Sequence, residues 1–394
     1  MSRFAELLPA ELYSTLVALR RDLHRHPELS FEERRTSQRL VTALEGFSPR
    51  SIERVGETGV VARFAGEDAR APTVAVRGDI DALPIQEETG LEWGSEVPGV
   101  MHACGHDVHA TWAVGAGALL ARRPAGGDVL VVLQPAEEVG QGAAEILRSG
   151  LLDGVRVIFG GHVDRRFEVG EVVTQEGSVG AATDEFFVEL VGRGGHGARP
   201  HLGRDPVVAG SALVTALQTI VSRRIEPGAP AVVTVGTFRA GTAPNVIPSR
   251  AHLSGTLRAM DPATRALLAR EVEEVARGIA AAHGVELDLE VREGTPAVIN
   301  DPAATAWARS AAEGLLGAEA IKPLGAINMG GEDFAFYLER IPGCFARIGA
   351  REPGGEPIGA HTSRFVAAEE SIAVGAAWLA EAARLASRAL ARGG

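Results

Sequence analysis

Three histidines, a cysteine and an aspartate crowd into the run Met101-His102-Ala103-Cys104-Gly105-His106-Asp107-Val108-His109. Cys104 and His106 stand two apart, so in an extended loop one metal ion, or an adjacent pair, can meet both. A thiolate and an imidazole suit a borderline-soft cation such as zinc. The residues that follow, Val108 to Arg123, read as a helix. The run therefore feeds a helix N-terminus, a place that favours a deprotonated thiol. The plainer alternative is a buried cysteine in a polar, His-rich turn.

Other side chains of the same chemistry recur downstream. Glu137 and Glu138 are adjacent in Gln134-Pro135-Ala136-Glu137-Glu138, which follows an apolar strand. Neighbouring side chains there point in different directions, so one can bind metal while the other reaches a metal-bound water and takes its proton. His162 follows Gly160-Gly161 at the end of another apolar stretch, and His361 lies in a loop before the last helix. Asp79 and Asp81 close a further strand in Gly78-Asp79-Ile80-Asp81. Each has a bland alternative: a solvated acidic pair, a turn with Asx hydrogen bonds, a residue closing a sheet edge. His24 and His26 can be ligands or can close a helix C-terminus, where the dipole favours histidine.

The elements that must position these residues alternate strand and helix. Helices are expected over 11–26 and from Ser30, with Glu33 as its capping-box partner, to about Leu44. Strands follow over Gly59–Phe64, Thr73–Arg77, Asp128–Leu133 and Val155–Phe159. Short, continuously apolar strands separated by helices make a mostly parallel sheet buried on both faces, and such sheets place their sites at the strands' carboxyl ends. Four segments thus converge on one place. From about Ala181 the order changes to strand, helix, strand, strand, helix, strand, with Asp261 capping a helix that begins at Pro262. That is a ferredoxin-like unit inserted between two parts of one catalytic domain. The expected division is 1–180 and 296–394 for an α/β catalytic domain of mixed, mostly parallel sheet flanked by helices, and 181–295 for an α+β lid.

Composition narrows the classes. The chain has 394 residues, 45% of them hydrophobic, which suits two domains with real cores. A formal net charge of −12 argues against nucleic acid as the main partner. Two cysteines make no disulfide framework and fit a reducing, cytoplasmic setting. The N-terminal region reads without a signal peptide, and no stretch approaches the roughly 20 apolar residues of a membrane span.

Taken together, the motifs resemble the aminoacylase-like dinuclear metallopeptidase superfamily. The likeness runs through His24-Arg25-His26-Pro27-Glu28-Leu29-Ser30, Arg77-Gly78-Asp79-Ile80-Asp81-Ala82-Leu83-Pro84, Met101 to Asp107 and Gln134 to Glu138. It continues in Gly195-His196-Gly197-Ala198-Arg199-Pro200-His201, Asn245-Val246-Ile247-Pro248, Gly331-Glu332-Asp333-Phe334 and His361. The Cys-x-His pair, and Asp79 where much of the superfamily has histidine, point to the branch of hippurate hydrolases, N-acyl-amino-acid amidohydrolases and auxin-conjugate hydrolases.

The resemblance implies two divalent ions (zinc, manganese, nickel or cobalt) held by Cys104, His106, Glu138, His162 and His361. It makes Glu137 the general base and Asp81 the acid that orients a ligand. On the lid it implies that His196 reaches the substrate and that Asn245 and Arg258 bind its oxyanion or carboxylate. A homodimer is implied too, and a small N-acyl-amino acid as substrate. A carboxypeptidase or dipeptidase of the same superfamily, or a metal-bound binding protein without catalysis, are the competing readings; the second requires a missing base, and Glu137 is present. The sequence departs from its relatives at Asp164-Arg165-Arg166-Phe167, where a proline is frequent, and at Ser249, where an acid is frequent.

Overall fold

The computed structural model describes residues 4–393. Two compact units divide the chain: Met1–Gly177, Ile299–Gly325 and Asp333–Gly394 make the first, Ser178–Val298 and Ala326–Glu332 the second.

The first unit opens with α1 (Ala10–Arg25) and α2 (Arg34–Glu45). An antiparallel pair follows, β1 (Ser51–Val55) and β2 (Gly59–Phe64). Then come β3 (Val74–Asp79), α3 (His106–Arg122), β4 (Val129–Gln134), α4 (Gly142–Arg148), β5 (Val157–Glu168) and β6 (Val172–Val173). The second unit holds β7 (Gly177–Gly180, starting on the last residue of the first unit), β8 (Ala182–Val191), β9 (Gly195–His196), α5 (Pro206–Arg223) and β10 (Ala231–Ala240). It continues with β11 (Val246–Ile247), β12 (Arg250–Ala259), α6 (Pro262–His283) and β13 (Glu286–Arg292). The chain ends with β14 (Val298–Asn300), α7 (Pro302–Leu316), α8 (Ala335–Leu338), β15 (Gly343–Arg351) and α9 (Glu370–Gly393).

The main sheet runs β1-β2-β4-β3-β5-β15-β6. Its four central strands, β4, β3, β5 and β15, are parallel, and the flanking pairs are antiparallel. Helices α3 and α9 pack on one another and on β3 and β5, while α7 covers β5 and β15. The α3 helix is buried at almost every position, so its hydrophobic pattern has no polar face. Because β4 lies on one side of β3 and β5 on the other, the connections leave in opposite directions there. That switch point is where an open α/β sheet forms its crevice.

In the second unit the sheet order β10-β12-β8-β13 is antiparallel throughout, with α5 and α6 packed against it, the arrangement of a ferredoxin-like unit. Its core is separate and built from residues such as Phe186, Leu190, Leu213, Leu253 and Val272. The Asp261 side chain accepts from the Thr264 N–H at the start of α6, and Asp205 caps α5 in the same way.

Three local expectations are corrected. Ser30 and Glu33 do not form a capping box: α2 begins at Arg34 with no side-chain cap. The Ser30 hydroxyl instead donates to Asp81 Oδ2 at 2.7 Å, and buried Glu33 accepts from the Ala136 N–H at 2.9 Å. Tertiary partners win over the local cap. The third helix starts at His106 rather than Val108, so His106 belongs to its first turn. His162 lies inside β5, opposite Arg347 of β15, and not at a strand end.

Candidate metal centre

Parallel pairing brings the donors level. Val76 of β3 pairs with Phe159 of β5, so Asp79 and His162 each lie three residues further along neighbouring strands. Asp79 pairs with Gln134 at the end of β4, and Ala136 then takes a left-handed backbone, φ +51°, before Glu137 and Glu138. His361 is likewise left-handed at φ +63°. A non-glycine residue held there carries strain of order 1–3 kcal/mol, and such residues cluster at functional sites. Two glycines make room. Gly105, φ +86°, is the N-cap of α3, and a Cβ there would strike Val163. A Cβ on Gly78 would strike the His109 carbonyl, so β3 and α3 approach closely only through glycine.

The ring nitrogens are sorted into held and aimed. His106 donates through Nδ1 to the Asp81 carbonyl (2.9 Å) and its carboxylate (3.1 Å). His162 Nδ1 bonds the Val163 carbonyl at 2.6 Å. With Nδ1 occupied, Nε2 of both rings is left to point inward. His162 Nε2 lies 3.1 Å from Cys104 Sγ; His106 Nε2 lies 3.8 Å from both Glu137 Oε2 and Glu138 Oε1. His361 Nε2 lies 3.4 Å from Glu138 Oε2. Among the described residues the donor groups include Cys104, His106 and His162; Cys104, Glu138 and His361; His106, Glu137 and Glu138; and Asp79, His106 and His109. His106 Nε2 and Glu138 Oε1 are buried without a hydrogen-bond partner. Orphan polar atoms of this kind are rare in interiors, and a cation between them satisfies both, so the donor set fits divalent metal.

The charges follow from burial and neighbours. Burial, then the Glu138 carboxylate, pushes the Cys104 thiol well above its usual range. Desolvation thus outweighs the helix N-terminus, and the expected ready deprotonation does not hold in the protein alone; a cation is what makes the thiolate favourable. Burial works to lower His106, but Asp79, Cys104 and Asp81 raise it well above the ordinary histidine value. His162 is pushed well below by burial, then by His109 and Arg347, and so is neutral. Burial opposes ionisation of Asp81, yet hydrogen bonds from His106, Ser30 and the Glu138 N–H hold it below the usual carboxylate range.

The sequence pattern leaves Asp79 open and does not single out His109. The structure joins them: His109 Nδ1 lies 2.6 Å from Asp79 Oδ1, and its Nε2 accepts from the Val163 N–H at 2.9 Å. The i,i+3 spacing of His106 and His109 on one helix face is the signal that could find it. His24 is not among the donor groups; its Nδ1 lies 2.8 Å from Asp107, which also accepts from Arg20. His26 Nδ1 bonds the Asp22 carbonyl and is not among them either.

The second unit carries the other expected residues. His196 of β9 pairs with Val246 of β11, and Gly197 donates to the Asn245 carbonyl at 2.8 Å, so His196 and Asn245, distant in sequence, are exposed side by side at one two-stranded ribbon. Arg258 is elsewhere in that unit, on β12 between Thr183 and Val232.

An α/β sheet that gathers thiol, imidazole and carboxylate donors at its switch point forms a candidate divalent-metal centre. Residues 75–385 match the peptidase family M20/M25/M40, and the chain belongs to that family. It is 39% identical over 377 residues to the N-acetylcysteine deacetylase of Bacillus subtilis, covering 94% of this chain and 96% of that protein. It is 40% identical over 371 residues to a putative glutamate–cysteine ligase 2-3 of Rhodococcus jostii, matching 94% of this chain but 46%, about half, of that longer relative. Among solved structures it resembles the YXEP protein of Bacillus subtilis, described as a dinuclear metal binding peptidase from the M20 family. There the TM-score is 0.85 at 35% identity, covering 96% of this chain and 99% of that one.

Proposed function

We propose that this protein hydrolyses the amide bond of N-acyl-amino acids, using two divalent ions held by two triads that share Cys104. The supporting observation is the convergence of the donor atoms, two of them (His106 Nε2 and Glu138 Oε1) buried without a hydrogen-bond partner, beside a second carboxylate, Glu137. Cys104, His106 and His162 would hold one ion; Cys104, Glu138 and His361 the other. Divalent cations in these positions supply Lewis acidity, acidifying water and polarising a carbonyl oxygen. Zinc, manganese, nickel and cobalt all suit a thiolate, imidazole and carboxylate set.

Glu137 takes the proton of the attacking water and returns it to the leaving amine. Asp81 fixes the His106 ring through Nδ1. His196 stabilises the oxyanion, donated across a homodimer by the second unit acting as a lid; Asn245 and Arg258 bind the oxyanion and the substrate carboxylate. Similarity to a deacetylase of N-acetylcysteine favours small N-acyl groups. Two free, buried cysteines, one in the donor set, suit a reducing cytoplasm. The test is a panel of acetyl-, benzoyl- and indoleacetyl-amino acids beside unblocked dipeptides, assayed after metal reconstitution. Turnover of acyl-amino acids and not of dipeptides is expected; the reverse would overturn the reading in favour of a dipeptidase.

A further inference from the structure

The segment Asp164-Arg165-Arg166-Phe167 has no part in the chemistry above. In the structure it builds a clamp. Arg165 lies on β5 three residues beyond His162, and its side chain is buried at 6% exposure. The guanidinium donates to the Glu356 carbonyl from Nη2 at 2.8 Å and from Nε at 3.3 Å. Nη1 donates to the Val366 carbonyl and, at 3.0 Å, to Glu352 Oε2. In return the Arg165 carbonyl accepts from Arg351 Nε at 3.1 Å. Glu356 and Val366 stand five residues either side of His361, so one fork ties both arms of the loop that presents it. The middle of the loop is held separately: the His361 N–H bonds the Ala103 carbonyl at 2.9 Å, and the Glu88 N–H bonds the Ser363 carbonyl at 2.8 Å.

We propose that Arg165 is the positioning residue for His361, fixing a loop that lacks regular structure so that the left-handed His361 is aimed before metal arrives. The proposal rests on the reading of His361 as a ligand. The arm before His361, Arg351-Glu352-Pro353-Gly354-Gly355-Glu356-Pro357-Ile358-Gly359, has three glycines and no buried side chain, and the core anchor Phe365 lies beyond His361, so this arm depends on hydrogen bonds for its order. A guanidinium fork has the donors to join two carbonyls and a carboxylate at once; an ammonium offers neither the span nor the planarity. Strand β5 thereby carries His162 itself and the clamp for His361, giving two ligands from distant parts of the chain one rigid reference.

The experiment uses full-length Arg165→Met and Arg165→Lys, with His361→Ala as control. Hydrogen exchange of residues 351–366 is measured in metal-free protein, and cobalt is titrated while thiolate and ligand-field absorbance are followed. Arg165→Met should speed exchange in this loop at least about 10-fold. It should weaken one cobalt equivalent by roughly 10- to 100-fold and leave the other as in wild type, the range seen when outer hydrogen-bond partners of ligands are lost. Arg165→Lys should fall between and carries the same test if the methionine variant does not fold. Wild-type exchange of the loop, or equal weakening of both equivalents, would overturn the proposal. If His361→Ala binds both equivalents normally, it is the ligand reading that fails, while exchange still judges the clamp.

Discussion

The two histidine-bearing regions of this protein are built in opposite ways. In the first unit His106, His109 and His162 have at least one ring nitrogen committed to a backbone or carboxylate partner, and His106 and His109 are fully buried. In the second unit His196 is exposed on a two-residue strand, and its Nδ1 accepts only from the Ala198 N–H two residues on. A metal ligand must be aimed before the ion arrives, because reorienting it would cost affinity. A group that meets a substrate can wait for it. The first region should therefore fail by losing metal, and the second by losing rate with metal intact.

The largest effect that sharpens this contrast is at Cys104, which belongs to two of the donor triads. Cys104→Ala should lose both metal and activity, because both ion sites lose a thiolate. Elemental analysis after reconstitution checks it: wild type should approach two equivalents, and a wild-type plateau at one would break the shared-ligand arrangement. Next is the carboxylate pair. Glu137→Gln keeps the shape but cannot accept a proton, so turnover should fall about 10²-fold or more with metal retained. Glu138→Gln should weaken metal binding. Metal stripped by the first change and kept by the second would reverse the assignment.

The second region is tested by complementation. His196→Ala and Glu137→Gln, each nearly inactive, are co-expressed and mixed dimers isolated. If the histidine is lent across the dimer, one site per mixed dimer has both groups and recovers about half the wild-type rate. Inactive mixed dimers with normal metal content would remove the cross-subunit role.

The same contrast separates what the chain's local pattern discloses from what it hides. Cys104 with His106, Glu138 and His162 stand out in the sequence by residue type next to apolar strands, whereas His361, alone in a loop, joins the set only through the family resemblance. The helix Pro262–His283 is legible from Asp261 and Pro262, which act through neighbouring backbone. The roles of Ser30, Glu33 and Arg165 are hidden because their partners, Asp81, Ala136 and the Glu356 and Val366 carbonyls, are distant along the chain. Local pattern cannot show which long-range hydrogen bond wins. Gly160-Gly161 reads as a stop and puts His162 at a strand end; pairing with β15 carries the strand through it.

The smallest predicted effect concerns Arg258, and it separates binding from catalysis within the second region. Its register partners across the sheet, Thr183 and Val232, carry no charge, and on the proposed reading its guanidinium holds the substrate carboxylate. A hydrogen bond to a charged group is worth about 1.5–3 kcal/mol, and about 1.4 kcal/mol is tenfold, so Arg258→Ala should lower kcat/KM roughly 10-fold or more, mainly through KM. That loss should occur with an N-acyl-amino acid and vanish with its methyl ester, which has no carboxylate to hold. Metal content should not change. An equal loss on acid and ester would make Arg258 a structural residue of the sheet, and equal wild-type rates on the two substrates would remove the carboxylate requirement itself.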